Sequence, residues 1–375
     1  MSNTNLSYLY PEFWASGFDS LDIGSYGLQN QVNRDVETAI AKAGDTVNVP
    51  ISPDFGDAAS WTPGSTITPS GTTQTMATVT LDQSKQQARG FTDAELSLSQ
   101  YNLIESYATP MAKSILRAVN ASIYGEMIKS PYYVDATAGV AGSHVADAET
   151  ALSNNEVGYI GRKFVCSPSV MGALRKDSAF YSNAISNDDM IQSGILAKRY
   201  GFDISENNII SKYTPADLVG AVDKVGGYAA GTTTIVVDGF NDDAKLIKAG
   251  DIFSYGAGAT GYYTVQSTTL TGGDTTGITF LPALDAAIAD DAVITVKATQ
   301  SALAFVPSAV AFASRAYGAM GKPGVNSTIV NVQGLPVRIS TWTDSSTLNL
   351  NVAMDILYGV KIVNDKRIIK VLEDI

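Results

Sequence analysis

Few residues in this chain are of a kind to do covalent chemistry. His144 is the only histidine and Cys166 the only cysteine among 375 residues. A nucleophile–base pair would have to join these two, and a triad would add one of the many Ser or Asp residues. Neither sits in a fitting neighbourhood. His144 lies in the Gly/Ala/Ser-rich stretch 138–146, which reads as a loop and not as a preorganised site. Cys166 closes the apolar run Lys163-Phe164-Val165-Cys166, where a thiol acts as a small core residue. A zinc site needs several His and Cys ligands, and one of each cannot supply it. The acidic pairs Asp242-Asp243 and Asp290-Asp291 lack the spacing of a calcium loop and read as solvated turns. Gly256-x-Gly258-x-x-Gly261 spells the dinucleotide fingerprint, but that motif needs a helix after it. Here Tyr262-Tyr263-Thr264-Val265 continues as a strand, which makes the glycines a hairpin turn. No Walker-type phosphate loop occurs. The expectation is a protein with no catalytic residues, no cofactor and no metal.

Bulk properties narrow the class further. The chain is 45% hydrophobic and 17% charged, against about 25% charged for an ordinary soluble protein. Sparse charge with abundant neutral polar residues suits a surface that faces other protein, because a charge buried at an interface must find a partner. The net charge of −12, without any cluster of Lys and Arg, excludes a sequence-reading nucleic-acid binder. An acidic wall that encloses nucleic acid and repels it remains compatible. With one cysteine there is no intrachain disulfide. The N-terminal stretch has no basic n-region and no long apolar run, so it is not read as a secretory signal. The most apolar segment, Ala302 to Ala313, is broken by Pro307 and is too short to span a bilayer. A cytoplasmic origin and no membrane partner are expected.

Along the chain, residues 1–44 read as an arm followed by a short helix. Tyr8, Tyr10, Phe13 and Trp14 make that arm too apolar for a disordered tail, and it should lie on a surface, a neighbouring subunit or its own domain. Residues 45–98 read as an extended two-stranded excursion, out over Thr46 to Ile51 and back over Thr73 to Asp82. Its Pro/Gly-rich tip carries Phe55, Trp61, Pro63 and Ile67. An isolated ribbon is marginal in water, so neighbours should hold it. Over 99–129, Leu103, Tyr107, Met111, Ile115, Val119, Ile123 and Met127 recur every four residues. At 100° per residue this stripe winds around a long helix, with Pro110 marking a kink or the true start. Residues 145–219 read as α/β. There Ser167-Pro168 supplies an N-cap and an N1 proline after the strand 163–166, and a second helical stretch is expected over Ile191 to Tyr200. Residues 220–299 carry a local net charge of −5 and short strands separated by Gly-rich turns, the pattern of a small β-barrel or sandwich. After 300 an α/β pattern is expected to resume, closing with the alternating strand Leu348 to Ile356.

Three groups of strings resemble a known family. Pro11-Glu12-Phe13-Trp14, Val32-Asn33-Arg34-Asp35-Val36-Glu37 and Lys42-Ala43-Gly44-Asp45-Thr46-Val47 resemble the opening of tailed-bacteriophage major capsid proteins. Ser167-Pro168-Ser169-Val170-Met171-Gly172-Ala173-Leu174 is similar to the strand-to-helix step of their axial domain. Gln333-Gly334-Leu335-Pro336-Val337-Arg338-Ile339-Ser340 and Met354-Asp355-Ile356-Leu357-Tyr358-Gly359 resemble their closing strands. The resemblance implies an α+β, Hong Kong 97-type capsid fold. Its parts map as N-terminal arm 1–44, extended loop 45–98, spine helix with part of the peripheral (P) domain 99–144, first part of the axial (A) domain 145–219, and closing strands 300–375. The segment 220–299 resembles the β-barrel domain inserted in the coat proteins of some short-tailed phages.

The function so implied is that of a non-enzymatic shell subunit. Hexamers and pentamers of one chain would enclose packaged double-stranded DNA without reading its sequence, alongside portal, scaffolding or decoration proteins, assembled in the host cytoplasm and ending in the virion. Contacts between subunits are expected from Tyr8, Tyr10, Phe13, Trp14, Phe55, Trp61, Pro63 and Ile67. Some family members lock their shells with an isopeptide bond from a lysine on the extended loop; no lysine occurs between Lys42 and Lys85, so non-covalent locking is expected. The alternative within the fold is an encapsulin-like nanocompartment. More distant ones are a cytoplasmic enzyme with a β-insert and a tail or decoration protein.

Overall fold

The computed structural model describes residues 27–35, 46–51, 53, 55, 57–58, 60–67, 69, 71, 73–92, 95, 103–177, 198–216, 218–240, 246–256, 261–271, 274–318, 324–344, 346–347 and 349–374. Most of the expected helix over 191–200 and the aromatic arm residues before 27 lie outside them; of that helix only 198–200 are described, and there Arg199 forms an isolated bridge to Phe202 and no helix.

The first described element is a short 3-10 turn, Leu28–Asn30. Strands β1 (Thr46–Pro50) and β2 (Met76–Thr80) then pair antiparallel, from Thr46 opposite Thr80 to Pro50 opposite Met76. The chain continues directly into β3 (Gln83–Phe91), so the two-stranded part ends before residue 83 and the rest of the return joins a larger sheet. Helix α1 follows, Leu103–Met127. It is about 37 Å long at 1.5 Å per residue. Pro110 lies inside α1 and does not mark its start. Met111, Ile115, Val119, Ile123 and Met127 are all buried, joined by Ala108, Ala112, Leu116, Tyr124 and Ile128. The four-residue repeat rotates about 40° per step, and the helix accordingly buries a broad, winding surface against several elements.

Beyond α1 come β4 (Tyr133–Asp135), α2 (Gly142–Asn154), β5 (Lys163–Cys166), α3 (Pro168–Lys176) and β6 (Asp203–Glu206). The strand-to-helix step at β5–α3 forms as its residues dictate. Ser167 is the N-cap, its hydroxyl accepting from the Val170 amide at 3.2 Å, and Pro168 opens the first turn.

Residues 219–297 give six strands: β7 (Val219–Val222), β8 (Thr234–Phe240), β9 (Ile252–Tyr255), β10 (Tyr263–Thr271), β11 (Asp274–Leu281) and β12 (Val293–Lys297). They close into a barrel in the order β10-β11-β8-β7-β12-β9. Alternate residues turn inward, and Ile235, Val237, Phe253, Val265, Phe280, Ile294 and Val296 fill the interior.

The last stretch departs from the α/β expectation. Residues 299–374 hold six strands and no α-helix among the described residues: β13 (Thr299–Phe305), β14 (Val310–Arg315), β15 (Val325–Val332), β16 (Leu335–Thr343), β17 (Leu350–Ile362) and β18 (Ile368–Asp374). The physical reason is visible in the run 302–313. Pro307 cuts it into halves too short for a stable helix, and each half finds a strand to pair with.

Two five-stranded sheets result. One has the order β4-β18-β13-β5-β6, with β4–β18 and β5–β6 parallel and the rest antiparallel. The other is built on β17. β3 takes one edge of β17 over residues 350–358, and β16 and then β14 share the other, over 350–355 and 357–362; β15 pairs with β16. Helix α1 ties the sheets together. Its Tyr124 hydroxyl donates to the Ser301 carbonyl on β13 at 3.0 Å, and its Ser122 hydroxyl shares a 2.7 Å hydrogen bond with that of Tyr358 on β17.

Candidate assembly surface

The β1–β2 ribbon has a rooted base and an exposed tip. At the base Val47, Val49, Val79 and Leu81 pack with Ala311, Ala313, Leu357 and Val363 in a small core of their own. Gly359 on β17 makes the crossing possible, since a Cβ there would stand 2.0 Å from the Thr80 carbonyl oxygen. At the tip, Thr62-Pro63-Gly64-Ser65 forms a tight turn. The Ser65 amide donates to the Thr62 carbonyl at 3.0 Å, and Gly64 takes φ +94°, a conformation that favours glycine. The Ser65 hydroxyl adds a 2.7 Å bond to the Thr62 carbonyl, and the Trp61 indole N–H donates to the Ser65 carbonyl at 3.2 Å. A fixed turn therefore holds the Trp61 ring outward.

Four contact residues expected from sequence fall in this excursion, and all face solvent in the single chain. Phe55 is 75% exposed, Trp61 55% and Ile67 72%, with Pro63 exposed at the turn. Fully burying a side chain of this class against a partner is worth about 1.5–3 kcal/mol. Tyr8, Tyr10, Phe13 and Trp14 lie outside the described residues. Along the ribbon from 46 to 84 there is no basic side chain at all, which leaves apolar and hydroxyl groups as its means of recognition.

The stretch behind the arm is anchored on its own chain. Leu28 and Val32 enter the main core. Buried Asn120 of α1 accepts from the Leu28 amide and donates to the Gln29 side chain, both at 2.9 Å. Asn33 bridges to Ala311 on β14. The Arg34 guanidinium donates to the Gly334 carbonyl at 2.5 Å and lies 5.8 Å from the centre of the Phe312 ring. Part of the string Val32-Asn33-Arg34-Asp35 thus fastens the arm's exit to the β17 sheet.

The residues weighed for chemistry do not converge. His144 corrects the loop expectation: it is the third residue of α2, and its Nδ1 accepts from the Ala141 amide at 3.0 Å, closing the first turn of the helix. Val145, Ala148 and Leu152 of the same helix are buried, a 3–4 spacing that marks the helix in the sequence. Cys166 is fully buried, and burial drives its thiol far above the usual range, away from a reactive thiolate. Gly256, just after β9, takes φ +67°, and the next described element is β10, paired antiparallel with β9, so a strand and not a helix follows the motif. Asp290 accepts the Lys224 amide at 3.0 Å as a turn acid; Asp242 and Asp243 lie outside the described residues. Among the described residues no group of three His, Cys, Asp or Glu is placed to hold a metal.

A buried polar junction between barrel and body escaped the sequence reading. Lys370 on β18 is fully buried and its ammonium nitrogen meets the Thr264 hydroxyl of β10 at 2.8 Å. Burial pulls its amine down to about 7, an effect that Asp251 partly opposes. Asp251, its carboxyl pushed up by burial, accepts from the Tyr213 hydroxyl at 2.7 Å and the Lys248 amide at 2.8 Å. Tyr213 in turn stands edge-on to Tyr124 of α1 at 5.7 Å. The signal was present: a single lysine inside Ile368-Ile369-Lys370-Val371-Leu372, a run apolar enough to be covered on both faces.

No family model matches the chain, and no curated protein does. Solved structures do. A chain from Mycobacterium phage Che8 superimposes with a TM-score of 0.53 at 14% identity, covering 92% of this chain and 89% of that one. The capsid structure of the cyanophage P-SCSP1u aligns at TM-score 0.49 and 12% identity over 88% of this chain and 84% of that one. The mature capsid of bacteriophage PhiM1 gives 0.49 and 11% over 88% and 82%. The chain shares the overall fold of that phage Che8 chain.

Proposed function

We propose that the chain is a major capsid protein that assembles into the icosahedral shell around the packaged double-stranded DNA of a tailed phage, with no catalytic role. The observation that carries this reading, given the fold, is the β1–β2 ribbon: a rooted excursion whose fixed tip exposes Phe55, Trp61 and Ile67. Such a tip gains nothing in an isolated chain and much against a neighbour. In the Hong Kong 97-type scheme the ribbon is the extended loop, α1 the spine helix, the β17 sheet the peripheral domain, the β13 sheet with α2 and α3 the axial domain, and the barrel its insert. Each loop lies over an adjacent subunit, the aromatic arm clamps another, and hexamers and pentamers meet through the axial domains. Modest individual contacts, repeated by symmetry, make such a shell stable. The acidity of the chain suits a wall that encloses DNA without binding it. Portal, scaffolding and decoration proteins are the further partners of this scheme.

Expression of the full chain, alone and with its neighbouring genes, followed by electron microscopy tests the reading. Uniform closed shells are expected, and a small monodisperse oligomer under both conditions overturns it. Deleting 54–71 is expected to leave soluble subunits that do not form stable particles. Boiled, reduced shells should run as a single monomer band, because the loop lacks the lysine a covalent lock requires.

A further inference from the structure

The outer wall of the barrel is built in two different ways. Opposed residues of antiparallel strands share a face, and the register of β12, β7 and β8 sets Val293, Ala221 and Asp238 in one row, with Thr295 beside Val219 in the next. On the other side of that row the Asp223 amide donates to the Val236 carbonyl at 3.1 Å. The alternate residues Val222, Ile235, Val237, Ile294 and Val296 fill the barrel. Val219, Val236 and Val293 therefore stand outside it, 61%, 44% and 51% exposed, and Val225 at the turn between β7 and β8 is 94% exposed. Strand propensity does not require valine here. Across β8, β11 and β10 an outward row is Thr234, Thr279 and Ser267, with the two threonine hydroxyls 3.2 Å apart, and threonine, like valine, is enriched in strands.

Acidic side chains frame the valines. Asp223, Asp238, Asp290 and Asp291 are all exposed. Asp290 accepts the Lys224 amide at 3.0 Å, and the Asp291 amide donates to the Val222 carbonyl at 3.0 Å, so both stand beside the end of β7. Two cations lie near them. Lys224 sits over the Tyr228 ring at 4.1 Å, and Lys297, at the far end of β12, pairs with Asp374 at 3.1 Å. Counting Lys224 against the four carboxylates leaves the face apolar at its centre and negative around it. The barrel is closed and offers no strand edge, so recognition must run through these side chains.

We propose that the outer face of β12, β7 and β8 is a docking site for a separate protein that presents an apolar centre flanked by lysine or arginine. Charge selects this occupant. Nucleic acid and anionic membranes carry the same sign as the rim. A second copy meeting the face with its own would set aspartate against aspartate. The face is complete in one chain, so the inference goes beyond the shell reading and does not depend on it.

A fluorescent helical peptide with a leucine stripe flanked by lysines serves as the probe, against a control of equal charge with glutamines in the stripe. Both are titrated with the full-length chain and read by anisotropy. The stripe peptide is expected to bind about tenfold more tightly than the control, or better. Val219→Thr, Val236→Thr and Val293→Thr together keep strand propensity and should leave the unfolding midpoint at the wild-type value while abolishing that preference. Asp223→Asn with Asp238→Asn should weaken both peptides and flatten their dependence on salt. Equal binding of the two peptides, no binding, or a preference that survives the threonine variant overturns the proposal. So does self-association of the wild-type chain, seen by sedimentation, that the threonine variant abolishes, since a second copy is then the occupant. Shell formation, read by electron microscopy, stands or falls separately.

Discussion

Replacing Lys370 with methionine should stabilise the folded chain. The amine lies wholly out of solvent with the Thr264 hydroxyl at 2.8 Å, and burial draws it from 10.5 to about 7. The sign follows from proton counting. Between about pH 7 and 10.5 the unfolded chain carries a proton on this lysine that the folded chain does not, so stability rises with pH across that window. At pH 7 the burden is about 4 kcal/mol, and by pH 9 it has fallen to about 2. Methionine of similar volume removes it and gives up one hydrogen bond worth about 1 kcal/mol. The expected net gain for Lys370→Met is therefore about 2–3 kcal/mol at pH 7, shrinking towards pH 9. Urea unfolding of the unassembled full-length chain at pH 7, 8 and 9 measures it, and Asp251, present in both proteins, contributes to both curves. A variant less stable than wild type at pH 7, with the two pH slopes coincident, would mean that the lysine is charged and compensated in the fold, and the desolvation argument would be refuted.

Three further substitutions probe the parts that position the assembly surface, each read by chemical unfolding. Asn120→Ala strands the buried Leu28 amide and should cost about 2–3 kcal/mol, with residues 27–35 becoming the first protease site. Gly359→Ala drives a methyl group into the Thr80 carbonyl and should cost about 3 kcal/mol or more, lifting the ribbon base off β17. Ser167→Ala removes the hydroxyl oxygen that accepts from the Val170 amide and should cost about 1 kcal/mol.

What the sequence made legible depended on how local the controlling interaction is. The β5–α3 step was readable because the Ser167 cap and Pro168 act within four residues of each other. Most barrel strands were readable because inward and outward residues alternate between glycine turns, as in the exposed–buried alternation of β8 and β12. The short β7, Val219–Val222, carries too few residues for a period, and it is defined by its partners β8 and β12. The region after 300 misled because alanine-rich runs such as Ala302 to Ala313 fit a helix or a buried strand equally well; pairing with β5, β17 and β18 decides for strand. His144 was taken for a loop residue because its neighbours are small, although its own ring closes the helix start. The valine face of the barrel had no sequence signal of its own. It follows from the register that sets β12 beside β7, two strands far apart in the chain.

The low charge of the chain now divides into two separate uses. One is internal: a main core around α1 and a second inside the barrel absorb the long apolar side chains. The other is external, and it is concentrated at the ribbon tip, where Gly64 fixes the turn beside Trp61, and on the barrel wall at Val219 and Val293. The two uses predict different failures. Changes at Asn120 or Gly359 act on groups buried in one chain and must lower its stability at any concentration. Changes at Trp61 or Val219 alter only side chains that already face water, so they leave the isolated chain's unfolding curve where it was and appear only when a second molecule is met. A surface that were exposed by accident would show neither effect, and one that supported the fold would show the first, which makes the pairing of an unchanged unfolding curve with lost association the signature specific to an interface.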